Sequence, residues 1–475
     1  MRVLILNPGS IFSKNVVRDV IYGCWCKGKR IGGGTVLPYW LILVATILKK
    51  EAEVEVDYID ARSNPRFSPE DYQVVIINTS SMSFNEDVHL LGIFKKRNPQ
   101  ILTVIFGSHP TFMPKYCLEK EEIDIIVRGE PDYILRDLIK SFKEGRSWEE
   151  INGIGYNKGG EKIINPPYPY IDNLDELPFL DDSFIPDLVY FNPLIKRYPY
   201  ISLITSRGCP GRCVFCPAAS FYGDRYRFQS AERVVAEMEY FYRKGYREVY
   251  FRDETFTFVK RRVYEICRLL IKRRIKMFWI CNARIGTVDL DLLKLMKIAG
   301  CHWIKFGVES GSQEILDMAK KGIKIDDIER TFQWARKVGI NTHAHFMLGM
   351  PGETRDTLKQ TIEFAKKIKP TTASFGICTP YPGTPLFEEV AKNHPEIRDG
   401  SDVDFSSLHL QGFFNEEFTS LKKEVLNKAV FRAYREFYLR PLYILSWFGK
   451  IKDFQDLRRI TLAGANILDF VLRGD

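Results

Sequence analysis

The chain has 475 residues, 45% of them hydrophobic and 27% charged, with 69 basic against 60 acidic side chains. That is ordinary globular composition, long enough for two to four domains, and it excludes a low-complexity or repeat protein. Ten cysteines in such a length are no disulfide scaffold, so a reducing, cytoplasmic compartment is expected, and the dispersed net charge of +9 gives no reason to expect nucleic acid.

Residues 1–8 read as a buried strand rather than a signal peptide, and the longest apolar run, 37–48, is too short to span a bilayer. Short β-rich runs at 2–8, 53–61, 73–81, 101–109 and 124–130 alternate with helical runs near 38–51, 85–97, 114–122 and 132–144. This alternation predicts an α/β domain over 1–145, a doubly wound parallel sheet of Rossmann-like kind. Ligands of such sheets bind at the carboxyl edge. That edge carries Asn7, Asn78-Thr79-Ser80, Gly107-Ser108-His109-Pro110-Thr111 and Arg128-Gly129-Glu130-Pro131. No G-x-G-x-x-G follows the first strand, and no Gly-Lys-Ser/Thr follows Gly32-Gly33-Gly34, so neither a dinucleotide site nor a P-loop is expected.

A hairpin around Lys158-Gly159-Gly160 and a Pro-rich connector fill 146–195. Then comes Cys209-Pro210-Gly211-Arg212-Cys213-Val214-Phe215-Cys216, a C-x3-C-x2-C run. Three soft thiolates in eight residues suit iron–sulfur or zinc. A closed zinc site wants four ligands, and no fourth Cys or His follows nearby. From 196 to 395 six strands, at 201–206, 248–253, 277–284, 303–310, 341–348 and 371–380, alternate with helices, which predicts a partial (βα)6 barrel. The cysteines fall just after its first strand, at the end where barrels place their chemistry.

The cysteine spacing, with Phe215 before the last Cys, resembles the radical S-adenosylmethionine (SAM) enzymes. The resemblance implies a [4Fe-4S] cluster on Cys209, Cys213 and Cys216, whose open iron holds SAM and cleaves it to a 5′-deoxyadenosyl radical. It further implies SAM contacts from Asp253 and Glu254 after the second strand, Asn282 and Arg284 after the third, Glu309 and Ser310 after the fourth, and Gly349 after the fifth. An electron donor of flavodoxin or ferredoxin type is implied as well. The first domain, through Gly107-Ser108-His109-Pro110-Thr111 and Val127-Arg128-Gly129-Glu130-Pro131, resembles the cobalamin-binding domain that precedes many of these enzymes. Asn7, Thr79, Ser80, Gly107, His109, Gly129 and Glu130 are then the expected cobalamin contacts. Asp87-Val88-His89-Leu90-Leu91-Gly92 matches D-x-H-x-x-G, whose His ligates cobalt elsewhere, but here it lies inside a helical pattern and reads as chance. Cys24 and Cys26 form a C-x-C in a loop; with Cys117 they do not suit the second cluster of the methylthiotransferases.

The tail, 396–475, reads as helices over 418–438 and 456–472 around Arg440-Pro441. Its aromatics (Phe431, Tyr434, Phe437, Tyr443, Trp447, Phe448) and basic residues suit either a cap on the barrel or a surface that touches a membrane. The resemblance as a whole implies methylation of an unactivated carbon of a small-molecule or lipid substrate. Oxidative ring formation of the anaerobic porphyrin cyclase kind and carbon–carbon coupling are alternatives within the family; a corrinoid or redox sensor is the alternative outside catalysis.

Overall fold

The run Val3–Leu6 is fully buried, as a strand covered on both faces must be. In the computed structural model, which describes residues 1–9, 18, 37–63, 66–187, 190–397, 415–451 and 453–473, it lies inside the first sheet. That sheet takes the order β2-β1-β3-β4-β5-β6-β7. Its members are β1 (Arg2–Asn7), β2 (Glu55–Asp60), β3 (Val74–Asn78), β4 (Leu102–Phe106), β5 (Ile125–Val127), β6 (Ile154–Lys158) and β7 (Glu161–Ile164). The first five pair in parallel, with Val3 opposite both Val56 and Val74, as doubly wound topology requires. The hairpin assigned from sequence to the linker instead joins this sheet, β6 pairing antiparallel with β5, so the first unit extends past residue 145. Periodicity showed the hairpin; its partner depends on contacts that sequence spacing does not encode.

The second sheet has the order β8-β11-β12-β13-β14-β15, all parallel. These are β8 (Tyr200–Leu203), β11 (Glu248–Phe251), β12 (Phe278–Ala283), β13 (Cys301–Glu309), β14 (Asn341–Leu348) and β15 (Thr372–Ile377). A two-strand ribbon, β9 (Ser206–Arg207) with β10 (Arg227–Phe228), stands at the top of β8. The crossover helices follow from their sequences. In Ala231–Arg243, Ser230 caps the start by accepting the Arg233 N–H, while Val234, Val235, Met238 and Phe241 bury one face.

Residues of β14 alternate: Thr342, Ala344, Phe346 and Leu348 are buried beneath helices, while His343, His345 and Met347 face the partial barrel's lumen. The outer edge of β15 meets the helix Lys423–Tyr438. Tyr434 Oη accepts the Phe375 N–H at 3.2 Å, and Tyr438 Oη accepts from Ala373 N at 3.0 Å and donates to Ala373 O at 2.6 Å. Two phenols thus do for this edge what another strand would do.

Candidate active site

The cysteine loop is held by backbone bonds to distant elements: Val214 N donates to Ala319 O and Leu386 N to Val214 O. Gly208 has φ +93°, and a Cβ there would lie 2.3 Å from Arg225 O, so the turn requires glycine. A Cβ on Gly211 would fill the space between Arg284 Nη1 (3.1 Å) and Cys209 Sγ (3.4 Å). Arg284 Nη1 lies 3.7 Å from Cys213 Sγ, and Thr255 Oγ1 3.9 Å from Cys209 Sγ. Burial, reinforced by the other two thiols, pushes the Cys216 thiol up to about 12, so its thiolate form needs a compensating positive charge. Among the described residues no three Cys, His, Asp or Glu side chains converge on a single-ion site.

The expected SAM contacts divide. Arg284 and Asn282 are half-buried at the end of β12, and Asn282 Nδ2 donates to Asp253 O. Glu309, with φ +68°, is gripped by Lys321 at 2.7 Å. Glu254 is half-buried at the rim. Three others are bonded within the fold. Asp253 is fully buried, its carboxylate accepting from Thr205 N, Thr205 Oγ1 and Ser206 Oγ at 2.6–2.8 Å. Ser310 is fully buried against Thr361 Oγ1 and the Ser312 N–H. Gly349 gives its N–H to Glu353 and its carbonyl to Asn415, and a Cβ there would meet Leu426 at 2.8 Å.

The edge of the first sheet divides likewise. Asn7 Nδ2 binds Asp60, and Thr79 Oγ1 binds Asp87, which is paired with Arg18. Ser80 lies in a turn with Ser83. His109 is 1% exposed, its Nδ1 on Ser81 Oγ and its ring 4.5 Å from Phe84, and burial lowers it to about 3. Gly107 (φ +127°) passes so close to Thr79 O that a Cβ would sit at 2.2 Å. Glu130 is not on an open face. It binds Arg207 Nη1 at 2.8 Å and also Arg227, while Asp132 takes Arg207 at 2.7 and 2.8 Å. Arg207 is 1% exposed and stacks over Trp40. Gly129 differs: its φ is +81°, nothing lies within 4 Å of a would-be Cβ, and it lines a cavity of about 460 Å³. That cavity lies between the two units and also borders Thr111, Phe112, Arg128, Phe221 and Gly383. His89 is exposed on the helix Phe84–Arg97, and Asp87 of the same motif is in the buried ion pair with Arg18. Cys24 and Cys26 lie outside the described residues; Cys117 is fully buried.

The radical SAM superfamily profile matches residues 203–365 and the B12 binding domain profile residues 32–139. An uncharacterized methyltransferase of Pyrococcus horikoshii is 32% identical over 432 residues, spanning 88% of this chain and 91% of the relative. The chain belongs to the cobalamin-binding radical SAM family. The anaerobic magnesium-protoporphyrin IX monomethyl ester cyclase of Rubrivivax gelatinosus is 29% identical over 434 residues, 88% of this chain and 76% of the cyclase. The fold matches that of the radical SAM methyltransferase TsrM from Kitasatospora setae, solved with cobalamin and a [4Fe-4S] cluster, with TM-score 0.69 at 19% identity over 98% of both chains.

As a cobalamin-binding radical SAM protein the chain is an enzyme whose cofactors are a [4Fe-4S] cluster, SAM and cobalamin. The residues present fit them: a glycine-cleared thiol loop beside a guanidinium, and a cavity over an unobstructed glycine at the sheet's carboxyl edge. Two residues escaped the sequence reading. Lys321 is buried on Glu309 and lies 5.8 Å from the Phe215 ring, but stands 12 positions from its partner in no recognised motif. Arg207 sits two residues before Cys209, where the motif attracts attention and its neighbour does not. On the lumen face, Lys305 Nζ donates to Tyr250 Oη at 2.9 Å, and His343 and His345 share Ser374 Oγ at 3.1 and 2.7 Å.

Proposed function

We propose that this enzyme transfers a methyl group to an unactivated carbon of a small-molecule or lipid substrate. The observation that carries the reading is the clamp between the units. Arg207, two residues before Cys209, binds Glu130 and Asp132, which directly follow the open Gly129 edge. It supports one shared cleft, with the cluster loop on one wall and the corrinoid edge on the other. When bound, the cofactors supply a carbon-centred radical able to remove hydrogen and a transferable methyl group. The chain's own side chains bind and orient. Arg284 offers a fixed cation beside Cys213 for an anionic group such as a carboxylate. Glu309, steadied by Lys321, offers an acceptor for hydroxyls. Phe112 and Phe221, 6.2 Å apart, help keep water from the cavity wall. The polar lumen of Lys305, Tyr250, His343 and His345 gives the substrate's polar end hydrogen-bonding partners. A protein of the flavodoxin or ferredoxin class is the proposed electron source.

The cyclase relative favours a second reading, ring closure without methyl gain. The two separate when reconstituted enzyme, strong reductant and SAM with a trideuterated methyl group are added anaerobically to extract of a deletion strain. Methylation places the trideuteriomethyl group on carbon in a new product. A product that forms with loss of hydrogen and no label establishes cyclisation or coupling instead.

A further inference from the structure

Most of the tail's aromatics are turned inward, Phe448 and Phe454 being the exposed exceptions. Phe437 and Tyr434 are at most 2% exposed, and Tyr443 and Trp447 pack against the core, Tyr443 Oη donating to Thr371 O. What faces outward is mostly aliphatic. The helix Pro441–Phe448 has no ionisable side chain other than the inward Tyr443, and it exposes Leu442 (82%), Leu445 (61%) and Phe448 (66%). The next helix, Phe454–Arg473, continues with Phe454 (75%), Leu457, Leu468 and Leu472, at helical spacing on one side. Its other side is satisfied by the protein: Phe470 and Val471 are buried, and Arg459 binds Pro193 O and Asp456. So much contiguous apolar exposure marks a contact surface.

The rim of this surface is basic. Arg435 and Arg458 are exposed, Arg440 directly precedes the apolar helix, and Lys450 closely follows it. Burial, then Arg459 and Lys297, push the Lys450 ammonium down, so cations are crowded here. The acids nearby, Asp453, Asp456 and Glu436, are already bound to Arg197, to Arg459 and to Lys366 with Arg432, and Asp469 is half-buried on the second helix. A two-fold dimer would set this basic rim against itself. Anionic headgroups would neutralise it while the aliphatic tips enter the acyl boundary.

We infer that the helix Pro441–Phe448 and the outer stripe of Phe454–Arg473 form a peripheral dock for an anionic lipid bilayer. No helix among the described residues is long and apolar enough to cross a membrane, so the attachment is interfacial. The dock also has a direction. Its contacts are to Thr371, Asn341, Arg197 and Pro193, which precede or begin β15, β14 and β8. The helix Pro441–Phe448 and the start of Phe454–Arg473 therefore sit at the amino-terminal rim of the barrel, ~25 Å along β14 from the cluster rim at about 3.3 Å per residue, while the end of Phe454–Arg473 packs through Phe470 on Phe431 and Tyr434 beside β15. The inference is independent of the reaction catalysed.

The test is co-sedimentation of the full-length reconstituted enzyme with phosphatidylglycerol and with phosphatidylcholine vesicles, beside a Leu442→Ser/Leu445→Ser/Phe448→Ser variant. Wild type should bind the anionic vesicles preferentially and lose binding with rising salt. The variant should lose about tenfold or more in bound-to-free ratio with unchanged iron content and melting temperature, since all three side chains are exposed. No binding of wild type to anionic vesicles at low salt, or undiminished binding by the variant, overturns the inference. So does a wild-type dimer, measured by sedimentation velocity, that the same substitutions dissociate.

Discussion

Replacing Arg207 with Met should destabilise the junction of the two units more than any other single charge removal. The guanidinium makes three bonds of 2.7–2.8 Å to two carboxylates, and both it and Asp132 are almost wholly buried. Met keeps much of the volume over Trp40 but leaves Asp132 a buried carboxylate without its guanidinium. Removing one member of a buried pair costs roughly 3–5 kcal/mol. At about 2–4 °C per kcal/mol for domains of this size, the first calorimetric transition should fall by ~6–20 °C. The double variant Arg207→Met/Asp132→Leu should melt above the single one, because no charge is then stranded. Acid adds an independent check. Burial alone would raise the Glu130 carboxyl, but Arg207 and Arg227 outweigh it and hold it below its ordinary value of 4.5. Its contribution is therefore present above that value and lost as pH falls through the lower folded one, and Arg207→Met should flatten that loss. A single variant melting within about 2 °C of wild type, or a double variant no more stable than the single, would refute the reasoning.

Gly107→Ala should cost ~3 kcal/mol or more in urea unfolding, because its Cβ meets Thr79 O at 2.2 Å, whereas Gly129→Ala should cost about 1 kcal/mol for backbone strain alone; equal costs would contradict this. Burial raises Glu353 to about 7, so wild-type stability should fall as pH rises from 4.5 to about 7, and Glu353→Gln should lose that slope in melting curves. His89→Ala should bind hydroxocobalamin with an unaltered visible spectrum, since His89 is exposed on the helix Phe84–Arg97; a shifted cobalt band would make it a ligand.

Much of the fold was legible because its strands are short, apolar and separated by amphipathic helices, and the six barrel strands appear in register order. The cysteine loop stood out because three thiolates holding one cluster need close spacing. The remaining sites were legible only as places. Asp253, Ser310, Gly349 and Glu130 occupy the expected strand ends and each also makes internal bonds, and a sequence does not show which donors are already matched. Lys321 gave no signal because it acts through Glu309. In the tail, Phe431, Tyr434 and Tyr438 recur at helical spacing on the face that seals β15, so the aromatic pattern was a core signal and the aliphatic residues carry the exposed surface.

The Arg207 clamp also bears on the timing of turnover. A domain free to swing can collect its cargo at one station and discharge it at another. Here the sheet edge and the cysteine loop are bolted through side chains that exclude water, so the stroke available is that of loops and small molecules, not of domains. On the function proposed above, loading and delivery share one berth, and traffic through the cleft is sequential.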